Sequence, residues 1–77
     1  MIGGIVLKTV GQKIKEIRLK NSLKQCVFAE KICVTQSHLS NIENDKDYPS
    51  KAVIRLVALQ FDVDEKTLKD DSNAISS

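Results

Sequence analysis

Apolar residues recur at helical intervals along most of the chain. Val10, Ile14 and Ile17 stand four and three apart, with Lys13, Lys15, Glu16, Arg18 and Lys20 mostly between them, which predicts an amphipathic helix over residues 10–21. Thr9 precedes it as an N-cap, and Gln12 three positions on completes a capping box. Ala29 and Ile32, with either Val27 or Phe28, give the buried side of a second short helix over 25–31. A tight turn follows at 32–34, and Thr35 caps a third helix over 35–43. In that helix Leu39 and Ile42 point inward, while Gln36, Ser37, His38, Ser40 and Asn41 fill the other face. Residues 44–48 read as a polar loop, and Pro49 and Ser50 open a fourth helix over 50–60. Ile54, Val57, Ala58 and Phe61 form one apolar stripe, and Val53, Leu56 and Leu59 a second, partly separate one. Asp64 caps a short fifth helix that ends at Leu68.

There is no internal repeat and no strand-turn-strand pattern. The expected fold is all-α: a compact five-helix domain over residues 9–69, between an N-terminal arm (1–8) and a flexible, polar C-terminal tail (70–77). The arm carries Gly3 and Gly4 before Ile5, Val6 and Leu7, and reads equally as a short strand or a disordered extension.

Composition narrows the chemistry. A chain of 77 residues makes one domain with a modest core. It holds no apolar run of about 18 residues, and its start lacks the basic residues and cleavage pattern of a signal peptide. A cytoplasmic protein with no membrane partner is expected. Cys26 and Cys33 are expected to be reduced core residues, ahead of a redox pair. His38 is the single histidine and no four-ligand spacing exists, so no metal and no cofactor are expected. There is no glycine-rich phosphate loop and no histidine–carboxylate cluster, which disfavours an enzyme. Asp62, Asp64, Glu65, Asp70 and Asp71 read as helix-end and tail charges. The net charge of +2 says less than its distribution. Residues 1–31 hold seven Lys or Arg against two acidic residues, and residues 32–77 hold five against eight. One end can face phosphates, or the charge is ordinary surface charge.

Two short helices joined by a tight turn, the second polar on one side, fit a helix-turn-helix. The major groove of DNA is about 12 Å wide and accepts a helix, with the preceding helix crossing the backbone. Gln and Asn pair bidentately with adenine, and Ser is permissive. Positions 36, 37, 40 and 41 share one helical face, so Gln36, Ser37, Ser40 and Asn41 are candidate base readers. The plain alternative is a solvated surface. Gln25 opens the preceding helix, whose N-terminal N–H groups can face a phosphate.

The segments VGQKIKEIR, QCVFAEKICVTQSHLSNIEN and YPSKAVIRLVALQFDV resemble the helix-turn-helix family of phage repressors and Cro proteins, the XRE family. The resemblance runs from Val10 to Leu68 and rests on the combined spacing of Arg18, Gln25, Ala29, Val34, Gln36, Ser40, Ile42, Glu43, Pro49 and Phe61. It implies a repressor-like domain that binds double-stranded DNA. Gln36, Ser37 and Asn41 would read bases, and Ser40 would face base or backbone. Gln25 would touch a phosphate and brace Gln36, and the backbone N–H of Asn44 would meet a phosphate. Arg18 and Glu43 would form a semi-buried ion pair. Lys24, Lys46 and His38 are further candidate phosphate contacts, His38 equally a plain surface residue. The chain departs from the pattern at Cys33 and Asp45, where glycine is common, and at Lys24, where Ser or Thr usually caps the second helix. A non-glycine residue at 33 must take a left-handed backbone at a cost of about 1–2 kcal/mol, or the turn must differ. Asp47 adds negative charge to the phosphate-facing loop, which Lys46 and Lys51 partly offset.

The expected function is a sequence-specific transcriptional regulator, chiefly a repressor, acting as a homodimer on a palindromic operator. Val53, Leu56 and Leu59, with Val63, are a candidate dimer seam, unless Leu56 and Leu59 simply cover the first or fifth helix. The alternative function is an antitoxin-like or other protein-interaction module, since one fold serves both.

Overall fold

The computed structural model describes residues 8–68. Most of the expected arm and the whole of the expected tail lie outside the described residues. Four α-helices follow one another: α1 (Val10–Lys20), α2 (Gln25–Lys31), α3 (Gln36–Glu43) and α4 (Lys51–Phe61). A single 3-10 turn, Glu65–Leu68, stands where the fifth helix was expected. No strand occurs among the described residues.

Local chemistry starts three of the four helices. Thr9 Oγ1 accepts from Gln12 N, and Gln12 Oε1 accepts from Thr9 N, both at 3.1 Å, a complete capping box. Thr35 Oγ1 accepts from His38 N at 3.1 Å, and Ser50 Oγ from Val53 N at 3.2 Å. Each such cap contributes about 1 kcal/mol. Ser50 is therefore the cap of α4 and not its first residue. Lys24 precedes α2 without a side-chain cap.

The first three helices end alike. Ser22, Cys33 and Asp45 take left-handed conformations at φ 57°, 61° and 63°. Past each, the chain folds back: Leu23 N donates to Arg18 O at 3.1 Å, Val34 N to Ala29 O at 3.0 Å and Lys46 N to Asn41 O at 2.8 Å. These are Schellman turns, which satisfy carbonyls that the helix leaves unpaired. Glycine is the usual residue there, and all three positions lack it. Cys33 thus adopts the left-handed turn that the departure from glycine implied.

The core gathers Val10 and Ile14 of α1, Phe28 and Ala29 of α2 with Ile32 at its C-cap, Leu39 and Ile42 of α3, Val53, Val57 and Ala58 of α4, and Leu68. Phe28 is the inward residue and Val27 is exposed, which decides between them. The ring of Phe28 stacks on Phe61 with centroids 4.8 Å apart and planes 10° from parallel. The cysteines depart from expectation: Cys26 and Cys33 are free thiols, both exposed. On α2 and its C-cap the inward positions are 28, 29 and 32. Residue 26 lies about 200° around the helix from 28, at about 100° per residue, and Cys33 sits on the outside of the turn.

Gly11 permits a close approach between α1 and α3. A Cβ there would lie 2.0 Å from the carbonyl oxygen of Ile42, so only glycine lets α1 meet the C-terminal end of α3 at this distance.

Candidate nucleic-acid interface

The second helix of the pair, α3, is short and two-sided. Leu39, Ile42 and Glu43 are buried. Gln36 and Ser37 are exposed in its first turn, and Ser40 and Asn41 are half-buried on the same side. The face that presents amides and hydroxyls is therefore opposite Leu39 and Ile42, as the 3.6-residue period requires, while Glu43 is buried at the C-terminal end of the helix, two turns beyond Gln36. His38 is half-buried at the margin.

One carboxylate ties three helices together. Arg18 Nε donates to Glu43 Oε2 at 2.7 Å, and Nη2 donates to Oε1 at 3.1 Å. Arg18 Nη1 also holds the Leu23 carbonyl at 3.0 Å, fixing the link between α1 and α2. Gln25 Nε2 adds a third donor to Glu43, at 3.0 Å to Oε1. The arginine fork suits a carboxylate and orients it. In consequence Gln25 leans on Glu43 rather than bracing Gln36, because a charged acceptor outcompetes an amide.

The loop after α3 is folded tightly on the helix end. Asn44 N donates to Ser40 O at 3.0 Å, Asp45 N to Ile42 O at 3.1 Å, and both Lys46 N and Asp47 N to Asn41 O, at 2.8 and 3.2 Å. Asn44 Nδ2 also donates to Ser40 O, at 2.8 Å. The backbone N–H that the resemblance assigns to a phosphate is thus already engaged, and the exposed side chain of Lys46 is the cation this loop offers. Lys24 is exposed at the start of α2.

Two residues at this site carry no periodic signal in the sequence. Gly11 is one. The other is Asp45, whose Oδ1 accepts from Thr9 Oγ1 at 2.6 Å across a separation of 36 residues. The proposed seam residues differ among themselves: Val53 faces the core, Leu56 and Val63 are half-buried, and Leu59 is 74% exposed. Among the described residues no three His, Cys, Asp or Glu side chains converge to hold a metal. No described helix is long and apolar enough to cross a membrane.

A helix-turn-helix family model matches residues 14–68. The immunity repressor protein of Bacillus phage phi105 is 44% identical over 50 residues, and the chain spans 35% of its length. The ImmF control region 10 kDa protein of the same phage is 32% identical over 62 residues, covering 80% of this chain and 69% of that protein. Among solved structures, SinR, the master regulator for biofilm formation, in complex with DNA, superposes with a TM-score of 0.71 at 34% identity, covering 78% of this chain and 97% of that one. The short α2 and the Thr35-capped α3 joined by a left-handed turn, an outward amide face on α3, and these relatives agree: the chain belongs to the helix-turn-helix family and carries the repressor-type domain.

Proposed function

We propose that this protein is a sequence-specific double-stranded-DNA-binding transcriptional regulator, a repressor by class, that reads the major groove with α3. The observation that carries this is the outward display of Gln36, Ser37, Ser40 and Asn41 on a helix held from behind by Leu39 and Ile42 and pinned at its C-terminal end by Glu43. Gln36 and Asn41 supply a donor and an acceptor each, which is what bidentate pairing with adenine needs, at about 1–3 kcal/mol of discrimination per pair. Lys24 and Lys46 sit at the two ends of the head, where they supply phosphate contacts that fix register without reading sequence. Gln25 supports the head through Glu43 and keeps its carbonyl oxygen for other partners.

A single head covers few base pairs, so the protein acts as a homodimer on a palindromic operator, with half-sites about 34–36 Å apart. The exposed Leu59, with Leu56 and Val63, supports an apolar seam for this dimer, and Val53 backs it from the core.

The test is equilibrium binding to palindromic and scrambled duplexes across a salt series. Preference for one palindrome with a steep salt dependence supports the reading. Equal, weak binding to all duplexes, together with stable capture of a protein partner, supports the protein-interaction alternative.

A further inference from the structure

We propose that Asp45 is a positioning residue for DNA reading: its carboxylate, held by the Thr9 hydroxyl, locks the loop after α3 onto the first turn of α1 and so sets the angle at which α3 is presented. This rests on the reading of α3 as the DNA-contacting helix.

One hydrogen bond and two close approaches to Gly11 mark this corner. Thr9 Oγ1 donates to Asp45 Oδ1 at 2.6 Å. The same carboxylate oxygen lies 2.9 Å from where a Cβ on Gly11 would be, and the Ile42 carbonyl lies 2.0 Å from it. The end of α3 and the residue after its cap therefore press on one turn of α1. Asp45 does this from a left-handed backbone, at φ 63°, where glycine is favoured. A carboxylate beside the start of α1 also complements the positive end of that helix. Thr9, Asp45, Lys46, Asp47 and Tyr48 line one open cleft, so the clamp adjoins the cation offered to phosphate and the second carboxylate beside it.

Electrostatics alone makes the opposite prediction. A carboxylate in a loop facing phosphates repels them, so its removal should tighten binding to every duplex. The clamp predicts a loss instead, and this difference in sign is the test.

The experiment measures binding of the full chain to its selected duplex and to a scrambled duplex, with thermal melting in parallel. Asp45→Gly is expected to melt at or above the wild-type temperature. It should bind the selected duplex at least tenfold more weakly, with a smaller ratio of selected to scrambled affinity. Asp45→Asn keeps the acceptor and tolerates the left-handed turn, and should bind the selected duplex within threefold of wild type or more tightly. Thr9→Asp still caps α1 but sets two carboxylates against each other, and should lose at least tenfold. Adding Asp45→Asn to Thr9→Asp restores a donor–acceptor pair at the wild-type net charge, and affinity should return to within threefold. Tighter or unchanged binding by Asp45→Gly, or no recovery in the double variant, overturns the proposal while leaving DNA reading intact. If the wild-type chain itself prefers no duplex, the functional reading falls and the proposal with it.

Discussion

Arg18 and Glu43 grip one another through two hydrogen bonds, at 2.7 and 3.1 Å, with side chains only 11% and 2% exposed. The pair joins residue 18 of α1 to the last residue of α3, and Gln25 of α2 closes the cluster. Removing Arg18 leaves the buried Glu43 carboxylate without a counter-charge, held only by the neutral Gln25 amide. Arg18→Ala should therefore cost about 3–5 kcal/mol. Urea denaturation should show the midpoint falling accordingly. Replacing both residues by apolar ones of similar volume should cost much less. An Arg18→Ala variant within about 1 kcal/mol of wild type would contradict the buried-pair account.

Gly11 predicts a second loss. A methyl group there meets the Ile42 carbonyl at 2.0 Å, a backbone atom that cannot swing away. Gly11→Ala should destabilise by about 1–3 kcal/mol despite alanine's better helix propensity. Chemical denaturation checks the sign: a stabilised variant would mean that α1 and α3 do not touch here.

Cys33 predicts a gain. It occupies a left-handed position at φ 61°, and glycine there removes about 1–2 kcal/mol of backbone strain, offset by roughly half that through the freer unfolded chain. Cys33→Gly should raise the melting temperature by a few degrees, since about 1 kcal/mol moves a domain of this size by roughly 4–8 °C. Because both thiols are exposed, a thiol reagent should label two cysteines per native chain, and one in Cys33→Gly. Labelling only after denaturation would return them to the core.

These three cases show where the sequence speaks and where it is silent. The span of α2, the caps Thr9 and Thr35, and the inward Leu39 and Ile42 are written in local pattern. Capping and amphipathicity act within one or two turns, so a single strand of text records them. The Arg18–Glu43 pair was legible only through resemblance to a family. Gly11 and the Asp45–Thr9 bond were not legible, because each depends on a neighbour more than 30 residues away and leaves no period. The cysteines misled because hydrophobicity as a residue type says nothing about which side of α2 position 26 occupies. The site divides the same way: the outward amides of α3 follow from its period, while the Gln25–Glu43 bond follows from the packing of three helices.

Phosphate and base contacts should separate by salt. Lys24→Ala and Lys46→Ala should weaken selected and scrambled duplexes alike, each lowering the salt slope by about one per reading head. A loss confined to one sequence would assign them to base reading.

The most direct test of α3 as the reading helix is selection of binding sites from random duplexes by the wild-type chain and by Gln36→Ala in parallel. The wild type should recover one motif with two half-sites about 34–36 Å apart. Gln36→Ala should recover a motif relaxed at one position in each half-site, at a cost of about 1–3 kcal/mol on the wild-type sequence. Recovery of the same motif at the same affinity by both proteins, or no motif from the wild type, would contradict base reading by this helix.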